Sequence, residues 1–160
     1  MEEKTTSHHH THHYRKLGIM VALSFIAMFV LMYAMVDAFA NIYPNLNQTY
    51  MAGLMAAPMV LIELALMGGM YGNKRLNAII AGVSVLALAG FFVLIRQQSA
   101  ISDRQFLKSM IPHHASAILM CREAPVQDAQ IKDLCTRILK NQQAEIDEMK
   151  TRLRALDSGQ

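Results

Sequence analysis

Three long apolar stretches, separated by short polar ones, dominate the first hundred residues. Leu17 to Val36 and Leu76 to Ile95 carry no charge. A helix rising about 1.5 Å per residue needs about twenty apolar residues to cross the hydrocarbon core of a bilayer. Met51 to Gly72 is as long and carries one charge, Glu63. The first stretch is too long for the apolar part of a signal peptide, and no small-residue cleavage pattern follows it. The pattern therefore predicts three spanning helices.

After Ile95 the chain turns polar, and a different periodicity follows. Ser102 and Gln105 fit a capping box, which places a helix start near Asp103. Apolar residues then recur at Phe106, Leu107, Met110, Ile111, Ala117, Ile118 and Cys121. The stretch EAPVQD interrupts them, and Asp128 is the candidate N-cap of a second helix. Ile131, Leu134, Cys135, Ile138, Leu139, Gln142, Glu145, Ile146, Met149, Leu153 and Leu156 line one side of it at spacings of three and four. A short connection makes the two helices antiparallel neighbours. A segment this small buries little core alone, so a second copy is expected to complete a four-helix bundle.

The expected architecture is all-α, with three transmembrane helices followed by an extramembrane antiparallel helical hairpin. Its parts are a disordered, His-rich arm at 1–16, a membrane region at 17–96 and a metal-binding hairpin at 101–160. Composition agrees: hydrophobic residues are 53% of the chain and charged residues 17%. From Ile101 onward nine Lys/Arg face eight Asp/Glu, a balance unsuited to tracking phosphates, so nucleic acid is not an expected partner. Lys4, Arg15 and Lys16 precede the first span, Lys74 and Arg75 lie in the second loop, and the first loop has no Lys or Arg. The positive-inside rule then puts the N-terminus in the cytoplasm. The C-terminal segment is expected outside, in the periplasm if this is a Gram-negative inner membrane.

Residues 110–121, MIPHHASAILMC, hold the densest potential chemistry. Neighbouring helical residues point about 100° apart, so His113 and His114 cannot readily clamp one ion from the same helix. Each heads its own row: Met110, His113, Ala117 and Met120 on one face, and Met110, His114 and Cys121 on the next. Thioether, thiol and imidazole together suit Cu(I) or Ag(I). Zinc fits less well, because adjacent histidines spoil a closed tetrahedral site. Pro112 frees a carbonyl and is expected to kink the helix. The plainer alternative makes the methionines core filler and the histidines hydrogen-bonded and half-buried.

FLKSMIPHHASAILM, followed by IKDLCTRILKNQQAEIDEMKTRL, resembles the ferritin-like domain-of-unknown-function family 305 over about Asp103 to Leu156. Periplasmic members of that family resemble copper- and silver-binding resistance proteins. The resemblance implies metal roles for Met110, His113, His114, Met120 and Met149, with Gln142 and Glu145 in support. It assigns nothing to Cys121 or Cys135. Cys121 is near the end of its helix and Cys135 about two turns into the next, an offset of several ångströms that is uncomfortable for a disulfide. Packed thiols or auxiliary Cu(I) ligands are the other readings.

In the membrane region Met20, Met28, Met32 and Met35 fall within an arc of about 120° at about 100° per residue. Met51, Met55, Met59, Met67 and Met70 fall within about 160° on the second span, and Glu63 lies in the same arc. A carboxylate at that depth faces protein or marks a site. Glu63 with Met59 and Met67 is thus a candidate membrane site, against the plainer reading of a hydrogen-bonded glutamate in a helix interface. The arm SHHHTHHYRK holds five of the seven histidines, and such tracts bind metals loosely.

The favoured expectation is a membrane-anchored, non-enzymatic protein that binds Cu(I) or Ag(I) for metal tolerance or handling. Membrane lipid, a second copy and copper-handling proteins are the expected partners. A transmembrane metal path built on Glu63 and a structural dimerising protein without metal are the alternatives.

Overall fold

The computed structural model describes residues 3–159, with side chains from 12 to 159. It is all-α: α1 Glu3–Leu31, α2 Leu46–Met67, α3 Lys74–Arg96, α4 Asp103–Glu123 and α5 Ala129–Ser158. Short 3-10 turns occupy Met32–Met35, Phe39–Asn41 and Gly68–Met70, and no strand occurs among the described residues. The segments His12–Met35, Leu46–Met70 and Lys74–Arg96 are long and apolar enough to cross a membrane. Helix α1 starts at Glu3, inside the arm expected to be disordered. Extending an existing helix needs no new nucleus, so the apolar span can propagate into a polar leader.

The chain divides into two compact units. The first combines residues 1–31 and 49–99, and the second combines 32–48 and 100–160. In the first unit α2 buries small residues, Ala52, Gly53, Ala56 and Ala57, together with Val60. A Cβ at Gly53 would overlap the Phe91 ring of α3, so close approach of these helices depends on the missing side chain. Glu63 accepts a hydrogen bond from the Tyr71 hydroxyl at 3.1 Å. The Tyr14 ring packs 5.2 Å from that of Tyr71, and its hydroxyl donates to Asn77 Oδ1 at 2.6 Å. Glu63 is thus hydrogen-bonded, as in the plainer reading of this position, and its partner is Tyr71.

The second unit is built on α4 and α5. Leu107, Ile111, Ala115 and Ile118 of α4 share a core with Ile146, Met149 and Leu153 of α5. Successive contacts pair rising positions on α4 with falling positions on α5. Arg104 meets Asp157 at 3.0 Å, and His114 meets Glu145 at 3.1 Å. The local signals account for both helix starts. The Ser102 side chain accepts from the Gln105 amide, and Asp128 accepts from the amides of Gln130 and Ile131 at 2.8 and 3.0 Å. The reciprocal half of the capping box is used elsewhere: Gln105 Oε1 accepts from the Leu46 amide at 3.0 Å. Ala124 ends α4 in an extended conformation, as the residue before Pro125 should.

Residues 32–48, expected as a loop of the membrane region, fold with α4. Val36 and Tyr43 pack on the α4/α5 core, and the Tyr33 hydroxyl donates to the Tyr43 carbonyl at 2.9 Å. The side chain of Asp37 is 7% exposed, with Arg122 of α4 at 3.9 Å, and it accepts from Asn41 Nδ2 at 2.6 Å.

Candidate metal centre

Pro112 sits inside an unbroken α4. Lacking an N–H, it leaves the carbonyl of Lys108, four residues earlier, without a helical donor. The Asn45 side-chain amide fills that role, donating to Lys108 O at 3.3 Å. The proline is therefore buried and stitched to the 32–48 segment. A turn later, the Ser116 hydroxyl donates to the Pro112 carbonyl at 2.9 Å. This fixes the backbone on either side of the two histidines.

The histidines then diverge, as helical geometry requires. Their ring centroids are 6.0 Å apart; His113 is exposed and His114 is half-buried against α5. His114 Nδ1 lies 3.1 Å from Glu145 Oε2. The separation suits a hydrogen bond, but the alignment forms none, and Nδ1 has no hydrogen-bond partner among the described residues. The contact is thus electrostatic in character. Gln142 Oε1, one turn from Glu145 on α5, is likewise buried without a hydrogen bond. Burial lowers the His114 pKa below the usual histidine value; Glu145 opposes this, and His113 adds a smaller lowering. The balance keeps the imidazole neutral near pH 7, the form that donates a lone pair to a metal.

The remaining candidates fall in different places. Met110 is half-buried and packs on the core that contains Met149, itself 9% exposed. Met120 is 51% exposed. Ten residues separate Met110 from Met120, an axial rise of about 15 Å, so this row cannot close around one ion. Cys121 stands seven residues, about 10.5 Å, beyond His114, too far to share one ion with it. Hydrogen bonding to Cys135 leads the causes that push the Cys121 thiol up to about 11; burial and the charge of Cys135 add to it.

The structure thus gathers Met110, His114, Gln142, Glu145 and Met149 along the α4/α5 seam and leaves His113 and Met120 outside it. Among the described residues no three of His, Cys, Asp and Glu converge on one point. In the membrane region Met59 is half-buried and Met67 is 40% exposed, while Glu63 is engaged by Tyr71. Sequence reasoning missed Asn45, although the carbonyl freed by Pro112 was a signal that some donor had to arrive.

The seam coincides with a recognised domain. Residues 62–153 match the Domain of unknown function (DUF305), more than half of the chain. The chain belongs to this family. The match begins well before the Asp103–Leu156 stretch that carried the resemblance, so the DUF305 region takes in part of α2 and all of α3. The uncharacterized protein L153 of Acanthamoeba polyphaga mimivirus is 34% identical over 134 residues, covering 82% of this DUF305 chain and 86% of that protein. No solved structure matches the chain.

Proposed function

We propose that this protein binds soft cations, Cu(I) or Ag(I), along the α4/α5 seam, with its three apolar helices anchoring it in a membrane. The observation that carries the reading is the His114–Glu145 pair. A carboxylate at Nδ1 selects the tautomer that leaves Nε2 as the ligand atom, the usual outer-shell arrangement of metal-bound histidine. The unpartnered Gln142 Oε1 supports the fit, because a buried polar atom without a partner is stable only when something else engages it. Met110 and Met149 add thioethers suited to a soft ion.

In this reading one chain supplies half a site, and a second copy completes a four-helix bundle. Exposed Phe106, Met120, Ile131 and Leu134 (50%, 51%, 48% and 46%) would be covered at such an interface. The absence of Lys or Arg between the first two spans supports a cytoplasmic N-terminus. The 32–48 segment and the helix pair then face the periplasm or cell exterior, where the protein would serve metal tolerance together with copper-handling partners.

The test is an anaerobic Cu(I) titration of the full chain in detergent, against a chromophoric chelator. His113→Ala with His114→Ala should abolish tight binding. Glu145→Gln should weaken it by about 10–100-fold, as losing an outer-shell partner does. Equal affinity of wild type and the double variant would end the proposal.

A further inference from the structure

The three apolar helices leave a groove between them that the cation-binding reading does not use. Its wider part, about 350 Å³, lies between Tyr14, Leu17 and Gly18 of α1 and Ile79 and Ile80 of α3. It runs into a narrower part of about 200 Å³, walled by Phe25, Gly53, Ala57, Ala87 and Phe91. Val21, Val60, Val83 and Ser84 line both parts, so the two are continuous.

Polar groups meet this groove at one end. Deep inside, the Ser84 hydroxyl donates to the Ile80 carbonyl at 2.8 Å, which leaves the inner walls apolar. At the other end the Tyr14 hydroxyl donates to Asn77 Oδ1 at 2.6 Å and to the Asn73 carbonyl at 3.2 Å. These bonds put the start of α3, with Lys74 and Arg75, at the same end of the unit as Arg15 and Lys16. All four cations are exposed, and none forms an ion pair among the described residues. Glu63 is the only carboxylate in residues 12–31 and 49–99, and it is held by Tyr71. The mouth of the groove therefore carries an excess of positive charge. From Tyr14 to Phe25 the groove follows eleven residues of α1, about 16 Å of helix. That is about half the hydrocarbon thickness of a bilayer, the depth of one leaflet.

We propose that this groove binds one anionic glycerophospholipid, with an acyl chain between α1, α2 and α3 and its phosphate among Arg15, Lys16, Lys74 and Arg75. An apolar slot one leaflet deep with cations at its mouth matches both halves of such a molecule. The acyl chain gains little over its place in the bilayer, because lipid tails are as apolar as the groove walls. Preference for this lipid therefore comes from the headgroup, where each cation near the surface attracts negative charge. The site rests on the membrane anchoring proposed above and is independent of the seam that would hold a metal.

The test titrates the full-length protein in detergent with phosphatidylglycerol or phosphatidylcholine and counts bound lipid by native mass spectrometry. Wild type should hold one phosphatidylglycerol per chain, with at least about tenfold preference over phosphatidylcholine. Lys74→Gln with Arg75→Gln should remove most of that preference. Ala87→Phe fills the narrow part and should abolish retention. Ala89→Phe, at an exposed position of α3 outside the groove, should leave it unchanged. Each variant is checked for retained helicity. Equal retention of the two lipids by wild type would assign the cations to topology alone and overturn the proposal. So would a lipid-free dimer that Ala87→Phe dissociates, because a second copy would then fill the groove. Carbonate washing of membranes separates the two readings. A chain that stays in the membrane without lipid preference fails the groove alone, whereas a released chain fails the anchoring and the groove with it.

Discussion

The two units use the same apolar residue types in opposite ways. In the three long apolar helices large side chains point outward: Leu23, Leu66 and Leu86 are 62%, 81% and 73% exposed. The buried places on α2 go to alanine, glycine and one valine. In the α4/α5 pair Ile111 and Ile146 are fully buried and Ile118 is 1% exposed, while charges such as Arg104 and Asp157 face out. Lipid tails are as apolar as leucine, so helices there gain by close backbone approach rather than by hiding large side chains. Water makes the second unit do the reverse. The contrast is the one expected if lipid surrounds the first unit and water the second.

Three substitutions sharpen that contrast, each read by hydrogen exchange of the full chain in detergent. Ile146→Ala has the largest expected effect. It opens a cavity in the densest part of the α4/α5 core and should cost about 2–5 kcal/mol, accelerating exchange in α4 and α5 together while α2 and α3 keep their protection. Gly53→Leu comes next. The new side chain meets the Phe91 ring, and overpacking of this kind costs about 1–3 kcal/mol, so protection should fall in α2 and α3 alone. Leu86→Ala is the smallest. That side chain is 73% exposed in a span where lipid replaces the lost contacts, so the change should stay within about 0.5 kcal/mol, as for positions away from packed features. A large loss from Leu86→Ala would mean that this face is covered by protein, and the contrast would fail there.

Much of the local structure was legible because it depends on local rules. Three long apolar stretches predict three apolar helices, Asp128 predicts the start of α5, and Pro125 predicts the end of α4. The divergence of His113 and His114 follows from helical rotation alone. Which histidine turns inward did not follow, because both rows hold methionine and both are apolar enough to be buried. The packing of α5 made that choice by bringing Glu145 to His114. The candidate ligands Met110, His113, His114, Met120, Cys121 and Met149 were legible as a composition, but not as a site, since axial rise separates Met110 from Met120 and His114 from Cys121.

The sequence by itself determined the helices, their caps and the choice of soft donors, because these depend on neighbours within a few residues. Only the tertiary structure decided that residues 32–48 join the C-terminal helices, that Asn45 serves the carbonyl freed by Pro112, and that His114 meets Glu145. Each of those is a contact between segments distant along the chain or across a connection. It is fixed by which buried faces must match and by the need of every buried polar group for a partner.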